Sequence, residues 1–213
     1  AMNVDVLGLV EMGNRDSLNI LLETLEQRNV HYAYQHWMAS NDKSLNLTLL
    51  SRYPLTNIVH HNRDRYSLGG KSYSMKRGIL EATVRVTPKY SFTVLLTHLK
   101  SQMESKIVDQ NEVRRKEAEV LRQKVDEILQ KDEKADFVVM GDFNDDYNMP
   151  PIREIRGTKT GKIRLVDARP VEQIGDSVPE SRTRGKYRSV AWTHFYNTED
   201  KYSRLDYIMY SPG

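Results

Sequence analysis

The stretch Phe-Val-Val-Met-Gly-Asp-Phe-Asn-Asp at residues 137–145 joins a short apolar run to a polar end. The apolar residues 137–140 predict a buried strand, because a strand covered on both faces shows no polar alternation. Gly141, Asp142 and Asn144 follow directly, so two oxygen-bearing side chains come where the strand ends. Glycine, aspartate and asparagine also favour turns, so a plain turn is the alternative interpretation.

Three other segments place a polar residue at the end of, or inside, an apolar strand. Glu11 follows the run VDVLGLV, His98 ends the run FTVLLTH, and Asp206 interrupts the strand LDYIMY. Strand ends on one rim of a sheet can converge on a single rigid cleft. There, carboxylates can hold a hard cation or take a proton from water, and an imidazole can hydrogen-bond a phosphoryl oxygen.

Each of these residues also has an ordinary interpretation. An acidic residue such as Glu11 often closes a strand as a solvated edge, and a lone histidine such as His98 is often packed or on the surface. Asp206 is harder to explain in this way, because we expect its strand to be buried and a buried carboxylate needs a partner.

The remaining pattern predicts strands interleaved with two amphipathic helices, and therefore an α/β or α+β layered fold. Residues 144–189 carry prolines and glycines with little periodicity and predict loops and short elements. The predicted helices cover 14–25 and 109–130, and the other predicted strands cover 4–10, 45–50, 79–86, 92–96, 189–196 and 205–210.

A chain of 213 residues is expected to form one domain over 1–213. No apolar run is long enough to span a bilayer, and no signal peptide is visible. The composition specifies neither the cellular location nor the oligomeric state.

The chain contains no cysteine, which excludes disulfides, thiolate zinc sites and cysteine nucleophiles. Any metal must be held by carboxylate, amide or imidazole groups, which favours Mg²⁺, Mn²⁺ or Ca²⁺. Residues 152–188 contain ten basic and five acidic residues, 10 − 5 = +5, within a chain of net charge +3. This segment could steer an anionic substrate, with a solvated basic loop as the alternative.

Several segments together resemble the endonuclease/exonuclease/phosphatase family. GDFND is similar to the Gly-Asp-x-Asn motif of that family, and the other similar segments follow in the family's order from about residue 4 to 211. They are DVLGLVEM (5–12), LLSRYPL (49–55), RGIL (77–80), THLKS (97–101) and SRLDYIMYS (203–211). The resemblance implies a deoxyribonuclease I-like α/β (α+β) fold, in which two packed mixed β-sheets flanked by helices form a four-layer sandwich.

The resemblance also implies a role for each of the five polar residues. Glu11 would coordinate Mg²⁺ (or Mn²⁺ or Ca²⁺), and Asp142 would orient or deprotonate the attacking water. Asn144 would hydrogen-bond the phosphoryl oxygens, His98 would contact the phosphate, and Asp206 would orient a catalytic histidine. The implied reaction is in-line attack of water on a phosphoester, most simply a phosphodiester such as a nucleic acid.

Three further residues are candidates for substrate binding: Arg114 on the long helix, Arg184 in the basic segment, and Thr193 on the predicted strand 189–196. A solvated helix face is the alternative for Arg114. The same core supports a phosphomonoesterase, a lipid-headgroup phosphodiesterase or a non-catalytic binding module, which stay open as alternatives.

The sequence departs from the family pattern at both ends. The family has a strand with an active-site asparagine before the first acidic motif and a Ser-Asp-His motif after the Arg-x-Asp strand, and neither is found here. We therefore expect a longer native product, with N- and C-terminal elements missing from this chain, and weak or no activity if this chain is the whole molecule.

Overall fold

The computed structural model describes residues 3–42, 44–103, 108–157, 163–169, 171–172, 188–189 and 192–212. The helices are α1 (Arg15–Glu26), α2 (Gln110–Lys131) and α3 (Pro150–Arg156). The strands up to the middle of the chain are β1 (Val6–Leu9), β2 (Tyr34–Met38), β3 (Leu47–Ser51), β4 (Leu55–His60), β5 (Arg65–Leu68), β6 (Lys71–Ser74), β7 (Ile79–Thr87) and β8 (Tyr90–His98). The later strands are β9 (Phe137–Asp142), β10 (Val166–Asp167), β11 (Val171–Glu172), β12 (Arg188–Ser189), β13 (His194–Tyr196), β14 (Lys201–Ser203) and β15 (Asp206–Tyr210).

Two sheets form the centre of the fold. One has six strands in the order β10-β15-β9-β8-β7-β4, in which β8 and β9 run parallel and the other neighbours run antiparallel. The other sheet has three antiparallel strands in the order β1-β3-β2. Because β8 and β9 are parallel neighbours joined through α2, the ends of both strands lie at the same edge of the sheet.

The two sheets pack face to face, with helices on both outer faces. Met38 and Leu49 of the small sheet share one apolar cluster with Leu96 and Met140 of the large sheet. On its other face the large sheet packs against α2 and α3 through a second cluster that includes Leu121. The small sheet is covered by α1 through a third cluster that joins Leu18 to Leu50. This arrangement confirms the predicted four-layer sandwich.

Gly8 fixes how closely the sheets approach near their polar edge. A Cβ atom on Gly8 would lie 2.7 Å from the Met140 Cε atom and 2.9 Å from the Leu96 Cδ1 atom. A side chain at position 8 would therefore require the ends of the Met140 and Leu96 side chains to move.

The observed elements differ from the predicted ones in the last third of the chain. The predicted strand over 189–196 is wrong in its extent, because the ladder of β13 covers only His194–Tyr196 and pairs with β14 as a hairpin. Residues 190 and 191 of that strand lie outside the described residues. The stretch predicted as loops and short elements contains α3, whose two leading prolines suit the first turn of a helix.

No helix in the described part of the chain is both long enough and apolar enough to cross a membrane.

Candidate active site

Three of the polar residues form one row across neighbouring strands of the large sheet. In the ladder, His98 of β8 lies beside Asp142 of β9, and Asp142 lies beside Asp206 of β15. Residues paired directly across strands point to the same face. The Nε2 atom of His98 is 3.7 Å from the Oδ2 atom of Asp142.

Glu11 reaches the same place from the other sheet. It follows β1, and its Oε1 atom is 3.9 Å from the Nε2 atom of His98. Its side chain is 59% exposed, whereas that of His98 is only 2% exposed. The site therefore has a buried floor in the large sheet and an exposed carboxylate supplied by the small sheet.

The turn that presents Glu11 is held by the loop before β3. Glu11 itself has a positive φ of 57°, which is uncommon for a residue with a side chain. The backbone N–H of Met12 donates to Asn46 O and that of Gly13 to Ser44 O, both at 3.1 Å. The buried Asn46 side chain also donates to Gly13 O. These bonds over-determine the turn, so the strained backbone of Glu11 can persist.

Asn144 is fixed in orientation by two hydrogen bonds. Its backbone N–H donates to the Oδ1 atom of Asp142 at 2.8 Å, and its side-chain Nδ2 donates to Leu99 O at 3.0 Å. Asn144 has a positive φ of 53°, which asparagine tolerates better than most residues. Because a carbonyl can only accept, the NH₂ end of the amide must face Leu99.

The negative charges of the site act on Asp142. The pKa of its carboxyl group is raised to about 7, mainly by burial, with the nearby Asp206 and Glu11 acting in the same direction. The hydrogen bond from the Asn144 N–H opposes this shift but does not cancel it. The carboxyl group of Asp142 is therefore costly to ionise.

His98 is neutral at physiological pH. Burial lowers the pKa of its imidazole to about 3, assisted by the positive charges of Arg77 and Lys100. The buried Nδ1 atom has no hydrogen-bond partner among the described residues, so only Nε2 faces the carboxylates.

Asp206 is exposed, which corrects the expectation that it lies in a buried part of its strand. It is the first residue of β15, where Tyr207 and Met209 point into the core and Asp206, Ile208 and Tyr210 point outward. No histidine in the described ranges is hydrogen-bonded to it. Its backbone N–H and that of Leu205 donate to the Thr193 Oγ1 atom at 3.1 and 3.0 Å.

Arg114 is held inside the protein and is not on the solvated helix face offered as the alternative. It is 1% exposed, and its Nε atom donates to Asp145 Oδ2 at 2.9 Å. Its Nη1 atom donates to Lys100 O at 3.3 Å. The neighbouring Arg115 does lie on the surface, where it pairs with Glu112 and Glu119 of the same helix. Arg184 lies outside the described residues.

Sequence reasoning missed Arg77 as part of the site. This residue is 5% exposed, its Nη1 atom donates to Leu99 O, and its charge acts on both His98 and Asp142. The segment RGIL (77–80) resembles a family motif, but nothing in the sequence around Arg77 indicates that this arginine is buried. The burial of Arg77 depends on how the turn before β7 packs against the rest of the protein.

The oxygen donors fit a hard divalent cation. Glu11 is an exposed carboxylate whose ion-pair partner among the described residues is His98, and the pKa of Asp142 is raised mainly by burial, with Asp206 and Glu11 adding to the shift and Arg77 opposing it. Within the described ranges, no three acidic or imidazole groups form a ready-made metal site. That is compatible with Mg²⁺, which keeps several waters and uses one or two carboxylates together with substrate phosphate.

The whole chain, residues 1–213, matches the family model described as the Endonuclease/Exonuclease/phosphatase family. No curated protein sequence matches it significantly.

Solved structures share the fold at low sequence identity. Human Nocturnin, whose catalytic domain was solved with a sulfate anion, is 16% identical with a TM-score of 0.65, over 97% of this chain and 69% of that one. Sphingomyelinase C from Streptomyces griseocarneus is 15% identical with a TM-score of 0.60, over 97% and 70%. A mutant beta toxin from Staphylococcus aureus with bound magnesium ions is 15% identical with a TM-score of 0.62, over 97% and 71%. At these identities the likeness shows the fold alone.

Proposed function

Since this chain belongs to the endonuclease/exonuclease/phosphatase family, we propose that it hydrolyses a phosphodiester by in-line attack of water, assisted by a divalent cation. The observation that carries the proposal is the convergence of Glu11 and Asp142 on one nitrogen of His98, at 3.9 and 3.7 Å. Carboxylates from two different sheets meet a neutral imidazole there, and Asp206 continues the row.

Glu11 would hold the cation, with Asp142 near enough to share its field. Mg²⁺ is the preferred choice, because the exposed side chains that the structure describes at this site, Glu11 and Asp206, carry oxygen donors and the chain has no thiol. The cation would neutralise charge on the phosphate and on the leaving oxygen. Magnesium ions in the beta toxin structure and sulfate, a phosphate-like anion, in the Nocturnin structure support this choice.

Asp142 is suited to accept the proton of the attacking water. A general base works best when its pKa lies near the working pH, and the pKa of Asp142 is about 7 before any cation binds. Ordinary aspartate would be a weaker base by several orders of magnitude in proton affinity.

His98 and Asn144 would bind the phosphate oxygens. A neutral imidazole can donate from Nε2, and the second N–H of the Asn144 amide group is not needed for the bond to Leu99. Fixed donors of this kind stabilise the charge that grows on the phosphoryl oxygens in the transition state. Asp206 would supply negative charge beside Asp142 and orient a histidine.

The test uses the full-length protein and measures hydrolysis of bis-p-nitrophenyl phosphate and nicking of plasmid DNA, each with Mg²⁺ and with EDTA. We expect Mg²⁺-dependent turnover that Asp142→Asn lowers by at least about a hundredfold, in the range seen when a general base is removed. The matched control is Asp136→Asn, an exposed aspartate one residue before the same strand, which should retain full activity.

Three outcomes would point elsewhere. Turnover of p-nitrophenyl phosphate but not of the diester would assign a phosphomonoesterase, and turnover of sphingomyelin alone would assign a lipid-headgroup phosphodiesterase. The absence of turnover of any of these esters would refute hydrolysis, and the additional absence of Mg²⁺ binding would favour a non-catalytic binding module.

A further inference from the structure

One buried carboxylate on α2 accepts hydrogen bonds from two segments next to the site, the turn before β7 and the loop after β8. Glu117 is 1% exposed, and its Oε2 atom accepts from the backbone N–H of Lys100 at 2.7 Å. Its Oε1 atom accepts from the backbone N–H of Lys76 at 3.4 Å. Lys100 lies two residues after His98, and Lys76 lies next to Arg77.

The bond to Lys100 bears directly on Asn144. The N–H of Lys100 and the C=O of Leu99 belong to the same peptide unit, which is planar and rigid. Glu117 accepts from the N–H end of this unit, while Asn144 Nδ2 and Arg77 Nη1 donate to its C=O end. The direction in which Glu117 holds the peptide therefore determines where the Asn144 amide lies.

The carbonyl group of Lys100 also accepts a hydrogen bond from helix α2. Arg114, one turn before Glu117, donates to Lys100 O at 3.3 Å and pairs with Asp145 at 2.9 Å. Helix α2 thus binds Lys100 at both its N–H and its C=O, and the same arginine reaches the loop that carries Asn144.

We propose that Glu117 is a positioning residue for the site: through the Leu99–Lys100 peptide it orients Asn144 and Arg77 toward the phosphate. The proposal rests on the hydrolysis proposed above for its catalytic consequence, but its geometric part stands on the structure alone. Because Glu117 is buried, it would act through these groups and not by contact with substrate or cation.

A side chain that only filled the space at this position would not need to be acidic. Burying an ionisable carboxyl group is costly, and burial raises the pKa of Glu117 although Arg77 and Lys100 act against that shift. An apolar residue would pack at this place at lower cost, but it would leave two backbone N–H groups of the site without an acceptor.

The test compares Glu117→Met, which keeps the length of the side chain but removes both acceptors, with Glu119→Met on the exposed side of the same helix. Two measurements are made on each folded variant: the kinetics of phosphodiester hydrolysis, and the NMR signals of the Asn144 side-chain amide. For Glu117→Met we expect kcat to fall about tenfold with KM within about twofold, the size of one lost hydrogen bond expressed only in the transition state. The Asn144 signals should shift in Glu117→Met and stay in place in Glu119→Met.

Unchanged kcat together with unmoved Asn144 signals in folded Glu117→Met would overturn the proposal. If the wild-type protein proves inactive while the Asn144 signals still shift, the proposed function fails and the positioning role stands.

If Glu117→Met does not fold, Glu117→Gln replaces it, because glutamine keeps one acceptor and the same volume. The wild-type protein offers an independent check that needs no substitution. The amide proton of Lys100 should exchange with solvent as slowly as those of β8, and exchange at the rate of an exposed loop would overturn the proposal.

Discussion

Gly141 lies beside Thr97 in the large sheet so closely that a Cβ atom on Gly141 would be 1.8 Å from the Thr97 carbonyl oxygen. The φ of Gly141 is 138°, a conformation that residues with side chains rarely adopt. This contact comes one residue before both Asp142 and His98, so the glycine allows the two strands to bring those side chains together.

Gly141→Ala should therefore lower the free energy of unfolding by about 3 kcal/mol or more, through backbone strain and the clash with β8. Urea denaturation measures the loss. Gly69→Ala is the control, since Gly69 also has a positive φ but no atom within 4 Å of its added Cβ. It should cost about 1–2 kcal/mol. Equal costs at the two positions would contradict the role of the clash.

Arg114→Met should destabilise the fold by about 3–5 kcal/mol, because it leaves Asp145 buried without its partner. Arg115→Met, on the exposed face of α2, should cost less than about 1 kcal/mol. Thermal and urea unfolding report both values. A raised KM with unchanged stability in Arg114→Met would instead support direct substrate binding by this arginine.

Mg²⁺ should stabilise the folded protein through Glu11. A cation that binds only the folded state raises the free energy of unfolding by about 2.7 kcal/mol at a hundred times its Kd. Glu11→Gln should abolish this increase and keep the same backbone strain, since glutamine also has a side chain at φ 57°. Glu26→Gln, an exposed residue on α1, should leave it intact. Calorimetric titration with Mg²⁺ provides the second readout.

The edge strands β2 and β4 carry a pair of histidines that should make stability depend on pH. The Nε2 atoms of His36 and His60 are 2.6 Å apart. Burial lowers the pKa of His36, with the charges of His60 and Arg15 acting in the same direction, and burial and His61 lower the pKa of His60.

Since both folded pKa values lie below 6.5, the unfolded chain binds more protons than the folded one in the window beneath that value. The contribution of the two neutral histidines to the free energy of unfolding is thus complete above pH 6.5. It is lost as the pH falls through the pKa values of the folded state. His36→Gln should flatten the decline between pH 6.5 and 5, whereas His31→Gln on a different surface should not. An unchanged slope in His36→Gln would refute this origin of the pH dependence.

The parts of the fold that the sequence predicts are those with strong local patterns. The apolar run before Gly141 and the charged, amphipathic pattern of α2 both give elements close to the observed bounds. The strands β2 and β4 lie at sheet edges and mix polar with apolar residues, so their pairing depends on neighbours far away in sequence.

The residues of the candidate site also fall into two groups: those that a local sequence pattern predicts and those that depend on tertiary packing. Residues at strand ends, such as His98 and Asp142, are visible because a polar residue interrupts an apolar run. Glu117 and Arg77 are not visible, because each looks like one charge among many until the helix and the turn are packed against the sheet. The exposure of Asp206 also follows from packing, since it depends on which face of β15 meets the core.

The close approach at Gly8 has a consequence for how the protein would lose activity. Glu11 follows a strand of the small sheet and His98 ends a strand of the large sheet, and at Gly8 the sheets pack so closely that an added Cβ would meet the Met140 and Leu96 side chains. A small separation of the two sheets would move the Glu11 carboxylate away from the His98 imidazole while every strand stayed intact. Catalytic activity would then be lost at a lower denaturant concentration than the far-ultraviolet circular dichroism signal, because it depends on the contact between the sheets and not only on secondary structure.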